Sequence, residues 1–430
     1  MNGGDRTIRV SDLGRVEGEG ALHVKVRGGV VKDVRLELFE PPRFFEALLR
    51  GRSYLDPVDI TARICGICPI AYQMSAGIAI EHACGVGVDG PLRDLRRLIY
   101  CGEWIESHAL HIYLLHAPDF LGYDGAIDMA RDHPDLVRAG LELKKAGNQI
   151  VEVVGGRPVH PVNPRVGGFH RAPTRNELAA LAAPLEKAYE TARATVRWTS
   201  GLEFPDCEPD WELVSLWHPS EYPMMGERIV STRGLNIPVS EFASEFVEDQ
   251  SDHSTALTSR HRGEPYLVGP LARFALNFEK LSADVRSEAR SAGVDGRTRN
   301  PFRSIIVRAL ETMEACAIAL GMVRDYVEPA SGHVDVPPRA GTGHGATEAP
   351  RGLLYHRYEI DAAGLIRHAT IVPPTAQNQL AIEDDLRRVV GANLHLANDR
   401  LQALSEQAIR NYDPCISCAT HYLRLEVDGE

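Results

Sequence analysis

Four of the eight cysteines fall in two CxxC pairs near opposite ends of a 430-residue chain. The first is Cys65 and Cys68, within Arg63 Ile64 Cys65 Gly66 Ile67 Cys68 Pro69; the second is Cys415 and Cys418, within Asp413 Pro414 Cys415 Ile416 Ser417 Cys418 Ala419 Thr420 His421. One CxxC pair alone serves zinc, redox exchange and iron–sulfur chemistry alike. Four thiolates converging on one point select soft metals: zinc, iron–sulfur, copper(I), or a thiophilic nickel or iron centre. Zinc ribbons keep their pairs close in sequence, because there the metal replaces the core of a small domain. Pairs at the two ends of a long chain fit that pattern poorly, and a redox role for one pair leaves the other idle. A zinc-stapled scaffold stays as the alternative to a redox-active metal site.

The elements that must bring the pairs together are legible in outline. Leu22, Val24 and Val26, then Val34, Leu36 and Leu38, alternate around Gly28 and Gly29, which predicts an N-terminal antiparallel hairpin over about 20–40. Pro41 and Pro42 end it, and Phe44, Phe45, Leu48 and Leu49 follow at helical spacing with Glu46 beside them. Pro69 starts a helix whose small residues, Ala71, Ser75, Ala76, Gly77 and Ala79, predict tight helix packing. Helical periodicity covers 92–115, 134–154, 175–198 and 301–326, with a rigid Gly/Pro-rich loop at 155–170 and short strands and turns over 206–240. Residues 341–352 are expected as a glycine-rich loop, followed by a second hairpin over 353–360 and 366–372 and a final helical region over 378–412. The fold class is mainly α with small antiparallel β elements (α+β), built on a long-helix bundle. One intertwined domain spans 1–430: hairpin, helical body over about 70–330, C-terminal hairpin and helix over 350–412, metal motif 413–421, and tail 422–430.

Composition narrows the function classes. The net charge of −12, with basic residues dispersed, excludes a generic nucleic-acid or anionic-membrane partner. Met1–Val10 lacks the pattern of a secretory signal and no apolar run is long enough to span a bilayer, so a cytoplasmic protein without direct membrane insertion is expected. The other cysteines, at 84, 101, 207 and 316, do not form a disulfide framework.

RxCGxCP near the start and DPCxSCxxH at the end resemble the large subunit of [NiFe]-hydrogenases, and most closely the cytosolic, multimeric branch linked to NAD(P) or to deazaflavin (coenzyme F420). The resemblance runs collinearly through Arg15 Val16 Glu17 Gly18, the 63–69 motif, the 155–168 loop, Val268 to Arg273, and Glu348 Ala349 Pro350 Arg351 Gly352. It implies reversible heterolytic oxidation of H2 at a nickel–iron centre whose iron carries carbon monoxide and cyanide. Cys65 and Cys415 would be terminal nickel ligands, and Cys68 and Cys418 would bridge the metals. Arg351 would donate to cyanide, with Thr375 as a second donor. Asp413 would orient Arg351 or the metal environment, and Glu17 would take the proton from Cys415. Glu46 and His421 match the positions that hold Mg2+ (or Fe2+) near the C-terminus.

The same resemblance implies an iron–sulfur small subunit, a further flavin/NAD(P) or F420 electron-transfer module, and a maturation endopeptidase that cuts after His421. Tyr72 stands where many relatives have a histidine near the bridging sulfur, and Ser107 where membrane-bound relatives keep an aspartate. A hydrogenase-derived respiratory subunit would share the fold but lack the four thiols.

Overall fold

In the computed structural model, which describes residues 5–41 and 44–420, alternation produces the expected N-terminal hairpin, Gly20–Arg27 and Val30–Leu38, with Leu22 opposite Leu36 and Val24 opposite Val34. Gly28 and Gly29 both take left-handed backbone (φ 56° and 74°), which gives the turn the twist of the flanking strands. The hairpin gains a third, unexpected strand, Arg6–Val10, too short to carry a period of its own. Its apolar face (Val24, Val34, Leu36) packs with Ile382, Leu386 and Val389 of the helix Pro374–Ala392.

Proline at the first position starts the helices Pro69–Cys84, Pro91–Leu110 and Pro134–Gly155, where its missing N–H costs no hydrogen bond. The Pro91 and Pro134 helices cross at two glycines. A Cβ on Gly147 would lie 2.6 Å from Gly102 O and 2.6 Å from Glu106 N, so the backbones themselves touch. The helix Ser304–Arg324 runs through the core, with Ile305, Ile306, Ala309, Leu310 and Met313 all buried. Beyond Leu110 the chain continues as a π-helical turn, His111–His116, and a short helix, Ala117–Leu121.

The expected glycine-rich loop is instead a strand. Gly341–Ala349 pairs antiparallel with Gly352–Ile360, which pairs with Ile366–Val372. Its glycines alternate at 341, 343 and 345 on the face that meets the Pro69 helix. A Cβ on Gly343 would lie 1.8 Å from Ala79 O, and one on Gly345 2.4 Å from Ser75 O. The small residues of the Pro69 helix therefore do pack tightly, but against a strand, and glycine marks a close backbone approach rather than a break.

Other boundaries shift. The helix expected over 175–198 divides into Arg175–Ala179 and Ala182–Ser200, and the last helical region into Pro374–Ala392 and Asn398–Arg410. The helical body is interrupted by the sheet Glu212–Trp217, Arg228–Ser231 and Asn236–Pro238, with Tyr266–Leu267 parallel to its edge, and by the ribbon Phe246–Gln250 and Leu257–His261. The tail 422–430 and His421 lie outside the described residues. Among the described residues no helix is long and apolar enough to cross a membrane.

The Gly343 contact is directly testable. Gly343→Val should destabilise the chain by about 1–3 kcal/mol, the range for overpacking a core, or prevent folding. Thermal unfolding equal to that of the parent would show that the helix and strand are not in backbone contact.

Candidate metal centre

Both cysteine pairs sit where helices begin. Cys68 precedes the Pro69 helix and Cys415 the single turn Ile416–Ala419. The sulfurs of Cys65, Cys68, Cys415 and Cys418 all lie within 4.8 Å of one another, and all four residues are buried. Cys65 Sγ is 3.5 Å from Cys415 Sγ, and Cys68 Sγ is 3.5 Å from Cys418 Sγ. Cys415 and Cys418 are themselves in disulfide contact. The hydrogen bond between Cys65 and Cys68 lowers the former's pKa and raises the latter's, which makes Cys65 the readier thiolate of its pair.

The groups around the sulfurs come from both ends of the chain. Glu17 pairs in a parallel bridge with Cys415, Ile416 N donates to Glu17 O at 2.9 Å, and Cys415 Sγ lies 3.0 Å from Glu17 Oε2. Ser417 N donates to the same carboxylate at 3.1 Å. Thr375 Oγ1 accepts from Cys415 N at 2.9 Å, so its observed partner is the backbone of the motif. Arg351 lies in the tight turn between Ala349 and Gly352, where its Nε donates to Asp413 O at 2.8 Å and its Nη2 to Asp413 Oδ1 at 3.2 Å. Burial works against the guanidinium's charge, but Asp413 and then the sulfurs of Cys68 and Cys65 hold it protonated above its usual range.

Arg351 Nη1 is buried and has no acceptor among the described residues. A buried guanidinium N–H without a partner is costly unless an acceptor meets it. Four buried sulfurs, with Cys65 and Cys68 electrostatically coupled to that arginine, fit a soft metal carrying an anionic ligand. Of the residues singled out in the sequence, the structure thus gathers Cys65, Cys68, Cys415, Cys418, Glu17, Arg351, Asp413 and Thr375. Glu46 stands apart on the helix Phe45–Leu49, where its Oε1 accepts from Ile371 N at 2.7 Å and burial pushes its pKa up to about 7.

A second layer of buried charge was not foreseen. Arg273, with no exposed surface, donates to Glu311 Oε1 and Oε2 at 3.0 and 2.8 Å and to Glu348 Oε2 at 2.9 Å. It also donates to Ala349 O at 2.6 Å and Pro350 O at 3.0 Å, the two carbonyls just before Arg351. His108 and Tyr222 complete the shell on Glu311 at 3.0 and 2.6 Å. Removing one member of such a buried pair costs about 3–5 kcal/mol, because a charge is left uncompensated. Glu103 accepts from Ile70 N at 2.6 Å and Ala71 N at 3.1 Å, capping the helix behind Cys68 from the neighbouring helix. The signal for these groups was present: glutamates on apolar helical stripes, at 103 and 106 and again at 311 and 314. Tyr72, in place of the expected histidine, packs against His356 with ring centroids 5.7 Å apart.

Four buried sulfurs this close together can hold a metal ion, and comparison with known proteins gives the family. The nickel-dependent hydrogenase profile matches residues 43–133 and 219–421. Sulfhydrogenase 2 subunit alpha of Pyrococcus furiosus is 33% identical over 97% of this chain and 100% of its own length. NAD-reducing hydrogenase HoxS subunit beta of Cupriavidus necator is 25% identical over 97% and 95%. The crystal structure of an NAD+-reducing [NiFe]-hydrogenase in the H2-reduced state superposes with a TM-score of 0.88, at 25% identity, over 97% of this chain and 99% of that one. The chain belongs to the nickel-dependent hydrogenase family. It is a large subunit of that family, an oxidoreductase acting on dihydrogen, and its relatives are subunits of multimeric enzymes.

The motif's leading edge gives a pH test. Tyr412, next to Asp413, donates to Asp385 Oδ2, and Trp211 Nε1 donates to Asp385 Oδ1 at 3.1 Å. Burial raises the Asp385 pKa from 3.8 to about 6 despite these bonds. A folded-state pKa above the unfolded one means that the native form binds the proton more tightly, so this stabilisation is present below 3.8 and is lost as pH rises through about 6. Relative to Asp385→Asn, the parent should lose about 1–3 kcal/mol across that window. Chemical denaturation that gives the two proteins parallel pH curves would rule this out.

Proposed function

We propose that Cys65, Cys68, Cys415 and Cys418 would together hold a nickel–iron centre, Cys65 and Cys415 serving nickel alone and Cys68 and Cys418 serving both metals, with an iron that would carry carbon monoxide and cyanide. The observation that carries this reading is the convergence of four buried sulfurs beside Arg351, whose buried Nη1 has no partner among the described residues. When bound, the bimetallic centre supplies the Lewis acidity that makes dihydrogen acidic and takes up its electrons. Arg351 stays cationic, pinned by Asp413, and its free Nη1 would donate to an anionic diatomic ligand. Cys415 Sγ receives the proton, and Glu17 Oε2, 3.0 Å away, accepts it and passes it toward solvent. Thr375 contributes by holding the amide of Cys415, which fixes the sulfur's direction.

Electrons leave through a partner, since Cys84, Cys101, Cys207 and Cys316 are dispersed and form no cluster-binding pattern. The reading assigns an iron–sulfur small subunit to that role, with a soluble NAD(P) or deazaflavin module beyond it and a cytoplasmic location. Glu46, together with His421, is assigned to a Mg2+ or Fe2+ site. The whole chain acts as one intertwined domain, and residues 422–430 are a tail removed by a maturation endopeptidase.

Infrared bands of metal-bound carbon monoxide and cyanide, with nickel and iron by elemental analysis, should appear in the matured complex and vanish in Cys65→Ala. Zinc without such bands would replace this reading with the structural-scaffold alternative. Glu17→Gln should retain the metals while lowering H/D exchange about 100-fold or more, the usual contribution of a positioned proton acceptor. The intact mass of chains from nickel-replete cells should end at His421; a fully active uncut chain would overturn the processing assignment.

A further inference from the structure

Asp119, in the short helix Ala117–Leu121, joins the two segments that lead into the proton donor and its acceptor. Arg15, two residues before Glu17, donates through Nη2 to Asp119 Oδ1 at 2.5 Å and through Nη1 to Leu115 O at 2.8 Å. Arg410, five residues before Cys415, donates through Nε to Asp119 Oδ2 at 2.8 Å and through Nη2 to Oδ1 at 2.9 Å. Arg410 Nη1 reaches Gly14 O at 2.8 Å, and His111 Nε2 lies 2.8 Å from Arg410 O. Asp119 and Arg410 are almost fully buried, with side chains 8% and 3% exposed. Arg15 holds its backbone at φ 62°, an unfavourable region for a side chain with a Cβ, which its ion pair and carbonyl contact help maintain.

From this geometry we infer that Asp119 is a positioning residue for proton transfer: its carboxylate clamps Arg15 and Arg410 together and so sets the distance between Cys415 Sγ and Glu17 Oε2. The bidentate pairing with Arg410 fixes the approach of the final motif, and the second pairing with Arg15 fixes the approach of the N-terminal segment. No hydrogen bond among the described residues joins the clamp to the sulfurs, so it acts through the two backbone segments that carry Glu17 and Cys415. The inference rests on Glu17 accepting the proton from Cys415.

The test uses the matured complex carrying Asp119→Asn, Asp119→Glu and the milder Arg15→Gln. A displacement of about 1 Å at a reacting pair costs up to about 100-fold in rate, so H/D exchange should fall roughly 10- to 100-fold in Asp119→Asn, with a raised solvent isotope effect. Nickel content and diatomic-ligand infrared bands should be unchanged, and Asp119→Glu should recover part of the rate. Arg15→Gln should show the same signature at smaller size, which keeps the test alive should Asp119→Asn fail to fold.

Two readouts separate positioning from a general loss of structure. The infrared carboxyl band that disappears in Glu17→Gln should shift in Asp119→Asn, and adding Asp119→Asn to Glu17→Gln should lower exchange no further. Unchanged exchange and an unchanged carboxyl band in both Asp119→Asn and Arg15→Gln overturn the clamp while leaving Glu17 in place. Multiplying losses in the double variant do the same. If Glu17→Gln itself exchanges at the parent rate, the underlying assignment of Glu17 fails instead.

Discussion

A guanidinium with no access to water dominates the interior. Arg273 meets two carboxylates and two carbonyls, stacks 4.5 Å above the Trp104 ring, and in doing so fastens four elements to one point. They are its own helix Pro270–Asn277, the Pro91 helix through Trp104 and His108, the Ser304 helix through Glu311, and the strand that ends at Ala349. Such a group tolerates little movement, because any displaced partner would leave a bare charge in a medium that cannot solvate it. The turn carrying Arg351 hangs from this anchor by the carbonyls of residues 349 and 350. The position of the Arg351 turn is therefore set in large part by buried charge.

The surrounding glycines serve the same end. A Cβ on Gly269 would lie 2.7 Å from Arg351 O, and one on Gly352 2.8 Å from Gly269 N, so the turn is pressed against the start of the Pro270 helix. Positive φ at both positions makes glycine the natural occupant. Sequence motifs that look unrelated, VGPLAR and EAPRG, are thus two halves of one joint.

How much of this was legible in the sequence depended on whether chemistry or packing chose the residue. The cysteines announced themselves because few side chains can bind a soft metal, and their collinear companions brought Glu17, Arg351 and Asp413 with them. The hairpin at 20–38 and the helices with proline at their first position were likewise readable, since local periodicity alone defines them. The roles of Glu103, Glu311 and Asp119 were hidden: each lies within a helix, and its partners lie on other elements. The strand at 341–349 was misjudged because glycine locally signals flexibility, whereas here its bareness answers a helix backbone arriving from more than 250 residues upstream, at Ala79.

The bridge between Glu17 and Cys415 joins residues 398 positions apart. Closing a loop of that length from an unfolded chain costs about 5 kcal/mol in entropy, so this contact is not a starting point for folding but something the rest of the body must make affordable. During synthesis Glu17 leaves the ribosome hundreds of residues before Cys415 exists. The sulfur set can be completed only after Cys415 and Cys418 have been made, some 350 residues after Cys65 and Cys68, so assembly of the centre must wait on the later part of synthesis.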